Sequence, residues 1–223
     1  MSMEIAKDGM ARVLKRWGFL IPEEVRRYKA EDIFRFHESN VSFLDAFHMT
    51  YEVLFKRANG LKCASDQIGS GCGAFVTPTQ SHEARLIHVH PDNLKKEFDP
   101  LALMSHEYIH FASHSAFYPK YYGGGGDNPF RVEGATEWLN LQCYSNYWDG
   151  LTPTAVAQSR QALIDAPPTK GRFTRKNRAA YRTNYEATKA WIKLDSVKNT
   201  SKLVNYVFRG ISIDPKDFSS IRP

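Results

Sequence analysis

The sequence predicts an α+β fold that is mainly helical, and three observations carry that reading. Apolar residues recur at helical spacing through the first sixty positions. Two short runs, Gly73 to Thr77 and Ala84 to His90, are rich in β-branched and apolar residues and are bounded by turn formers. Two further segments open on Asp99-Pro100 and Asn128-Pro129, a capping residue followed by the residue best tolerated at a first helical position. At 223 residues the chain can bury one sizeable core. A single domain is expected, with a helical N-terminal lobe over 1–60, a small sheet and two long helices over 61–146, and a helical C-terminal lobe over 147–223.

Taken in order, Met1 to Trp17 and Pro22 to Phe36 read as helices. Val41 to Arg57 places Phe43, Leu44, Phe47, Tyr51, Leu54 and Phe55 at helical spacing and stops near Gly60. Cys63 and Cys72 flank the loop CASDQIGSGC; with Cys143 they are too few for a disulfide framework, and they read as free thiols beside a turn, with a disulfide closing the loop in an oxidising compartment as the alternative. In ARLIHVH, residues 84–90, His88 and His90 alternate onto one face, where they can line a cleft; the strand is expected to offer the sheet edge along which an extended peptide lies. A helix should run from Pro100 to about Ala116, and another from Pro129 to about Tyr144. The glycines Gly123 to Gly126 let the chain reverse between them. Beyond Pro167 and Pro168, one or two helices are expected from about Asn177 to Phe208.

Composition narrows the function classes. Hydrophobic residues make up 42% and charged residues 24%, and no run approaches the roughly 18 apolar residues of a membrane span. The opening MSMEIAKDGMARVLKRWGFLIPEE is charged throughout and lacks the apolar core of a signal peptide, so synthesis in the cytosol is expected, with export only by a specialised system. The net charge of +6 is concentrated between Thr169 and Lys202, where ten Lys or Arg residues face only Glu186 and Asp195. No nucleic-acid recognition motif accompanies that charge, so it reads as a solvated helical face and nucleic acid is not an expected partner.

The chemistry lies in SHEYIHFASH, residues 105–114. Residues four apart share a helix face, so His106 and His110 can both reach one ion at the distance of about 2 Å that zinc requires of imidazole nitrogen. Glu107 sits about 100° further round, beside that ion, where a carboxylate can take a proton from water. His114 is about 12 Å from His106 along a straight helix axis and cannot share the ion. It reads as a residue at a helix end with a substrate-facing role as the alternative. Nor is the HExxHxxGxxH extension present, because Ser113 and Ala116 stand at its glycine and histidine positions.

The third ligand is expected from VEGATEWL, where Glu133 and Glu137 are four apart and two antiparallel helices would bring their face to the histidines. Glu133 is assigned as ligand and Glu137 as the carboxylate that fixes one histidine's tautomer, with the reverse assignment as the alternative. Gly134 between them suits a close approach of another backbone.

HEYIH followed at a distance by EGATE resembles the gluzincin clan of zinc metallopeptidases, and the match covers about Leu101 to Leu141. The resemblance implies a zincin-like fold, Zn2+ held by His106, His110 and Glu133, Glu107 as general base, and a peptide or protein substrate. EGATEWL and YRTNYEATKAWIKL are also similar to small bacterial metallopeptidase domains, some carried by secreted toxins or effectors; this implies a secretion apparatus or an immunity-type protein as partner. Catalysis would need a further donor for the tetrahedral oxyanion: Tyr181 and Tyr185 come first, with His114 and Tyr122 behind them. Two other readings stand beside this one, a non-catalytic module whose zinc only stabilises the fold, and a nucleic-acid binder using the basic C-terminal third.

Overall fold

The computed structural model describes residues 2–56, 74–77, 79–90, 100–118, 129–143 and 185–211. Among them the protein is mainly helical with one three-stranded mixed sheet. The first helix, α1 (Ser2–Trp17), buries Ala6, Met10, Val13 and Trp17, a stripe at helical spacing. It lies directly on the helix that carries the HEYIH motif, α5 (Pro100–Ala112). Contact is closest at Gly9, where a Cβ would stand 2.8 Å from Met104 Cβ and 2.9 Å from the Ser105 backbone nitrogen, so only glycine fits.

Pro22 to Phe36, expected as one helix, is two short helices and a strand: α2 (Glu23–Arg26), α3 (Ala30–Ile33) and β1 (Phe34–Phe36). Asp32 explains the restart, because its carboxylate accepts the Lys29 N–H at 3.2 Å and caps a new first turn. Phe34 and Phe36 then alternate with an exposed Arg35, the period of a half-buried strand. The first sixty residues are therefore not purely helical, and they contribute a strand to the sheet. α4 (Asn40–Lys56) follows close to its expected span.

Strand order is β1-β3-β2, with β2 at Ala74–Val76 and β3 at Ile87–Val89. β3 pairs parallel with β1 and antiparallel with β2, so it is the central strand, and ARLIHVH does not supply the free edge expected of it. Residues 82–84 form a single 3-10 turn instead of extending the strand. Strand alternation divides the side chains cleanly. Ala74, Val76, Ile87 and Val89 enter the main core with α1, α5 and α6 (Pro129–Gln142), while Phe75 packs with Phe43 and Phe47 of α4 on the opposite face.

α5 ends at Ala112, four residues before its expected end, and Arg85 accounts for the stop. This fully buried side chain donates from Nη1 to the carbonyls of Phe111 and Ser113, which a helix C-terminus leaves unpaired, and from Nε to Thr79 O at 3.0 Å. Burial lowers the guanidinium pKa to about 10, so it stays charged at neutral pH against the negative end of the helix dipole. Residues 185–194 (α7) and Ser196–Arg209 (α8) are two helices separated at Asp195, whose side chain caps α8 through the Lys198 N–H at 3.1 Å. α8 ends in a left-handed Gly210, φ 67°, packed on the His114 ring. One continuous core joins α1, the sheet, α5, α6, α7 and α8. No helix among the described residues is long and apolar enough to cross a membrane.

Candidate metal centre

α5 and α6 run antiparallel and meet along a buried polar seam. On α6 the seam is Glu133, Thr136, Glu137 and Asn140, the i, i+3, i+4, i+7 set of one helix face, and all four are buried. Facing them on α5 are His110, His106 and Ser105, also buried. The order of partners reverses as it must for antiparallel helices: Glu133 meets both histidines, Glu137 meets His106, and Asn140 meets Ser105.

Three atoms converge at the centre of this seam. His106 Nε2, His110 Nε2 and Glu133 Oε2 stand 3.1 Å from one another, an equilateral arrangement. The protonation of the rings follows from what lies behind them. His106 Nδ1 is 2.9 Å from Glu137 Oε2, and since a carboxylate only accepts, Nδ1 carries the proton and a neutral ring turns its Nε2 lone pair to the centre. His110 Nδ1 has Thr136 Oγ1 at 3.4 Å, which can play the same part. Two imidazole lone pairs and one carboxylate oxygen thus point at a single place.

Such a convergence of acceptors is repulsive unless a cation occupies it. Donors held about 2.0–2.2 Å from one tetrahedral ion stand roughly 3.3–3.6 Å apart, so the observed triangle needs only a few tenths of an ångström of expansion to take a metal. Charge points the same way: three carboxyl groups, Glu107, Glu133 and Glu137, are buried around two imidazoles, and a dication offsets what would otherwise be a costly excess of buried negative charge. His106, His110 and Glu133 can therefore hold a metal ion, and they are the one such group among the described residues. With no ion bound, the same atoms share a proton. Burial opposes the His106 imidazolium, but hydrogen bonds with Glu133 and Glu137 override it and raise the pKa to about 10. Burial likewise opposes Glu133 ionisation, yet the His110 charge and hydrogen bonds from both histidines hold its carboxyl well below the ordinary carboxylate range.

Glu107 is buried on α5 next to this group, and its charge acts on His106. Tyr185 is the first described residue of α7 and is half-buried; burial first, then Glu186 and Glu137, raise its phenol to about 12. Tyr181, Tyr122, Asp99, Asn128, Cys63, Cys72 and the glycine tract lie outside the described residues.

Three expected substrate-facing residues are placed elsewhere. His88 stacks on Phe75 at 4.7 Å and His90 meets Phe43 edge-on at 4.9 Å, so both lie on the α4 face of the sheet, with the sheet between them and the metal group. They share a face as alternation predicts, but it is the other face. His114 sits just beyond the end of α5, its N–H bonded to Val207 O at 2.7 Å and its Nδ1 accepting the Ala116 N–H at 3.1 Å. It docks α8 and does not face the metal group, because the chain leaves the helix at Ser113.

Sequence reasoning passed over Ser105, Asn140 and Arg85. For the first two a signal was present: Asn140 lies seven after Glu133 and three after Glu137, extending a polar stripe along a helix with few other polar residues. Arg85 offered no local signal, since the helix-end carbonyls it caps are more than twenty residues away. Compared with known protein families, curated proteins and solved structures, the chain gives no significant match.

Proposed function

We propose that the protein is a zinc-dependent peptidase of gluzincin type, acting on peptide or protein substrates. The observation that carries the reading is the convergence of His106 Nε2, His110 Nε2 and Glu133 Oε2 beside a buried Glu107. Two imidazoles and one carboxylate make a three-ligand set that zinc uses in catalytic sites, whereas purely structural zinc sites are closed and rich in cysteine. Zinc bound there would polarise the scissile carbonyl and lower the pKa of the attacking water.

The remaining work falls to the chain itself. Glu107 takes the proton of the attacking water and delivers it to the leaving amine. Glu137 holds the His106 Nδ1 proton and Thr136 stands at His110 Nδ1, so each ring keeps Nε2 free to donate a lone pair. Tyr185, whose raised pKa keeps its phenol protonated at neutral pH, is the described candidate for donating to the tetrahedral oxyanion. The depth of the three donors, all under a tenth exposed, favours one alternative, a metal that only fastens α5 to α6.

Glu107→Gln separates these readings. Purified wild-type protein is expected to hold about one equivalent of zinc and to cleave proteins in a denatured cell extract. The variant should keep its zinc and lose at least about 100-fold in rate, the usual contribution of a positioned base. Cleavage by Glu107→Gln at the wild-type rate, or zinc binding without cleavage by the wild type, would remove the peptidase reading.

A further inference from the structure

One helical turn beyond Glu137, α6 grips α5 through a second buried contact. Asn140 Oδ1 accepts from Ser105 Oγ at 2.6 Å, and Asn140 Nδ2 donates to Ala102 O at 3.0 Å. Both side chains are fully buried. Ser105 directly precedes His106, and Asn140 lies on the same face of α6 as Glu133 and Glu137. The contact therefore measures the axial position of one helix against the other immediately beside the ligands.

That position is one the metal group cannot set alone. Glu133 Oε2 must stand 3.1 Å from two nitrogens of α5 at once, while a slip of a single residue moves one helix by about 1.5 Å along its axis. Apolar packing between α5 and α6 tolerates such a slip more readily than directional bonds do, and a buried asparagine is an established way to fix helix register. We propose that Asn140, with Ser105, is a positioning residue for the metal centre: its bidentate grip on Ser105 Oγ and Ala102 O sets the register that brings Glu133 to His106 and His110. The inference rests on the metal-binding part of the proposed function and not on peptide hydrolysis.

Removing the grip leaves little unsatisfied on α5. Ser105 Oγ has the carbonyls of Leu101 and Ala102 as other acceptors at 3.1 Å, and Ala102 O keeps its place in the helical ladder, accepting the N–H of the residue four later. Stability and metal geometry can thus be read apart.

The test uses the full chain with zinc, followed by competition with a chelating dye, and with Co2+ as a spectroscopic probe. Asn140→Ala is expected to unfold within a few degrees of wild type when both are metal-free, to bind zinc at least about tenfold more weakly, and to change the visible bands of the Co2+ form. Ser105→Ala, which removes one of the two bonds and leaves more of the fold untouched, should weaken zinc a few-fold. A folded Asn140→Ala with wild-type zinc affinity and an unchanged Co2+ spectrum overturns the proposal. If Asn140→Ala does not fold, an unchanged affinity in Ser105→Ala overturns it. Failure of the wild type to bind zinc or Co2+ would fell both this inference and the proposed function, whereas a tight wild type with an indifferent Asn140→Ala fells only this one.

Discussion

The sheet separates two groups of histidines that the sequence makes look alike. On one side, His106 and His110 point their Nε2 atoms at a carboxylate, each backed by a polar group on α6. On the other, His37 Nε2 and His88 Nδ1 bond to each other at 2.9 Å, stacked with Phe75 and close to Phe43, with His90 alongside. Burial works on both groups and the outcome is opposite. Among carboxylates, His106 is raised to about 10; burial among aromatic rings, then the neighbouring His37 and Arg35, lowers His88 to about 4. Spacing alone does not make a metal site. What a metal can use is the convergence of three ligand atoms on one place, and the second group lacks it because His37 and His88 meet only as a pair.

The largest effect separating the two sides should appear in metal affinity. Glu133→Ala removes one of three donors and should weaken zinc binding by more than about 100-fold, the upper range for loss of even an outer partner. His88→Ala, which removes a partly buried histidine across the sheet, should leave metal content unchanged. Metal analysis after dialysis measures both. A loss of zinc in His88→Ala equal to that in Glu133→Ala would break the distinction drawn here.

Arg85 joins the two sides and offers the next test. It leaves the loop before β3 and ends at the C-terminal carbonyls of α5, so it ties the sheet to the helix that carries both histidines. Arg85→Met keeps most of the apolar stem and removes the charge, leaving Phe111 O without its partner and Ser113 O with only the His82 Nε2 contact at 3.1 Å. A loss of about 2–4 kcal/mol in unfolding free energy is expected, the cost of uncovering buried acceptors. Denaturant unfolding of metal-free protein checks it, and a loss below about 0.5 kcal/mol would mean the cap is not holding α5.

How much of this was legible in the sequence depends on the range of the signal. Motif spacing pointed to His106 and His110 because helix geometry acts over four residues. Glu133 was legible because the same periodicity recurred one helix later, together with the resemblance to gluzincins. The strand β1 was not, because helical and extended readings of Pro22 to Phe36 differ only in which neighbours Phe34 and Phe36 meet, and those neighbours are Ile87 and Val89. The misplacement of His88 and His90 has a similar origin. Alternation fixes that two residues share a face, but which face turns to α5 and which to α4 is settled by the whole core.

The smallest effect, and the finest test of the two environments, is the dependence of stability on pH in chelator-treated protein. For His88 the folded pKa of about 4 lies below the unfolded value of about 6.5, so between those limits the unfolded chain binds more protons and stability falls as pH falls. His82, lowered to about 4 mainly by burial and then by Arg85, adds a slope of the same sign. His106 and Glu133 contribute little slope over most of that window. His106 is raised, so its contribution is complete below about 6.5 and is lost only as pH climbs towards 10; Glu133 is lowered, so its contribution is lost only as pH drops below about 4.5. Between pH 6.5 and 4.5, then, the histidines held neutral by burial lower the melting temperature as pH falls. His88→Phe, which keeps an aromatic ring against Phe75, should flatten that slope without removing it, since His82 remains. An unchanged slope in His88→Phe would mean that His88 is not kept neutral by its surroundings, and the contrast between the two faces of the sheet would then rest on geometry alone.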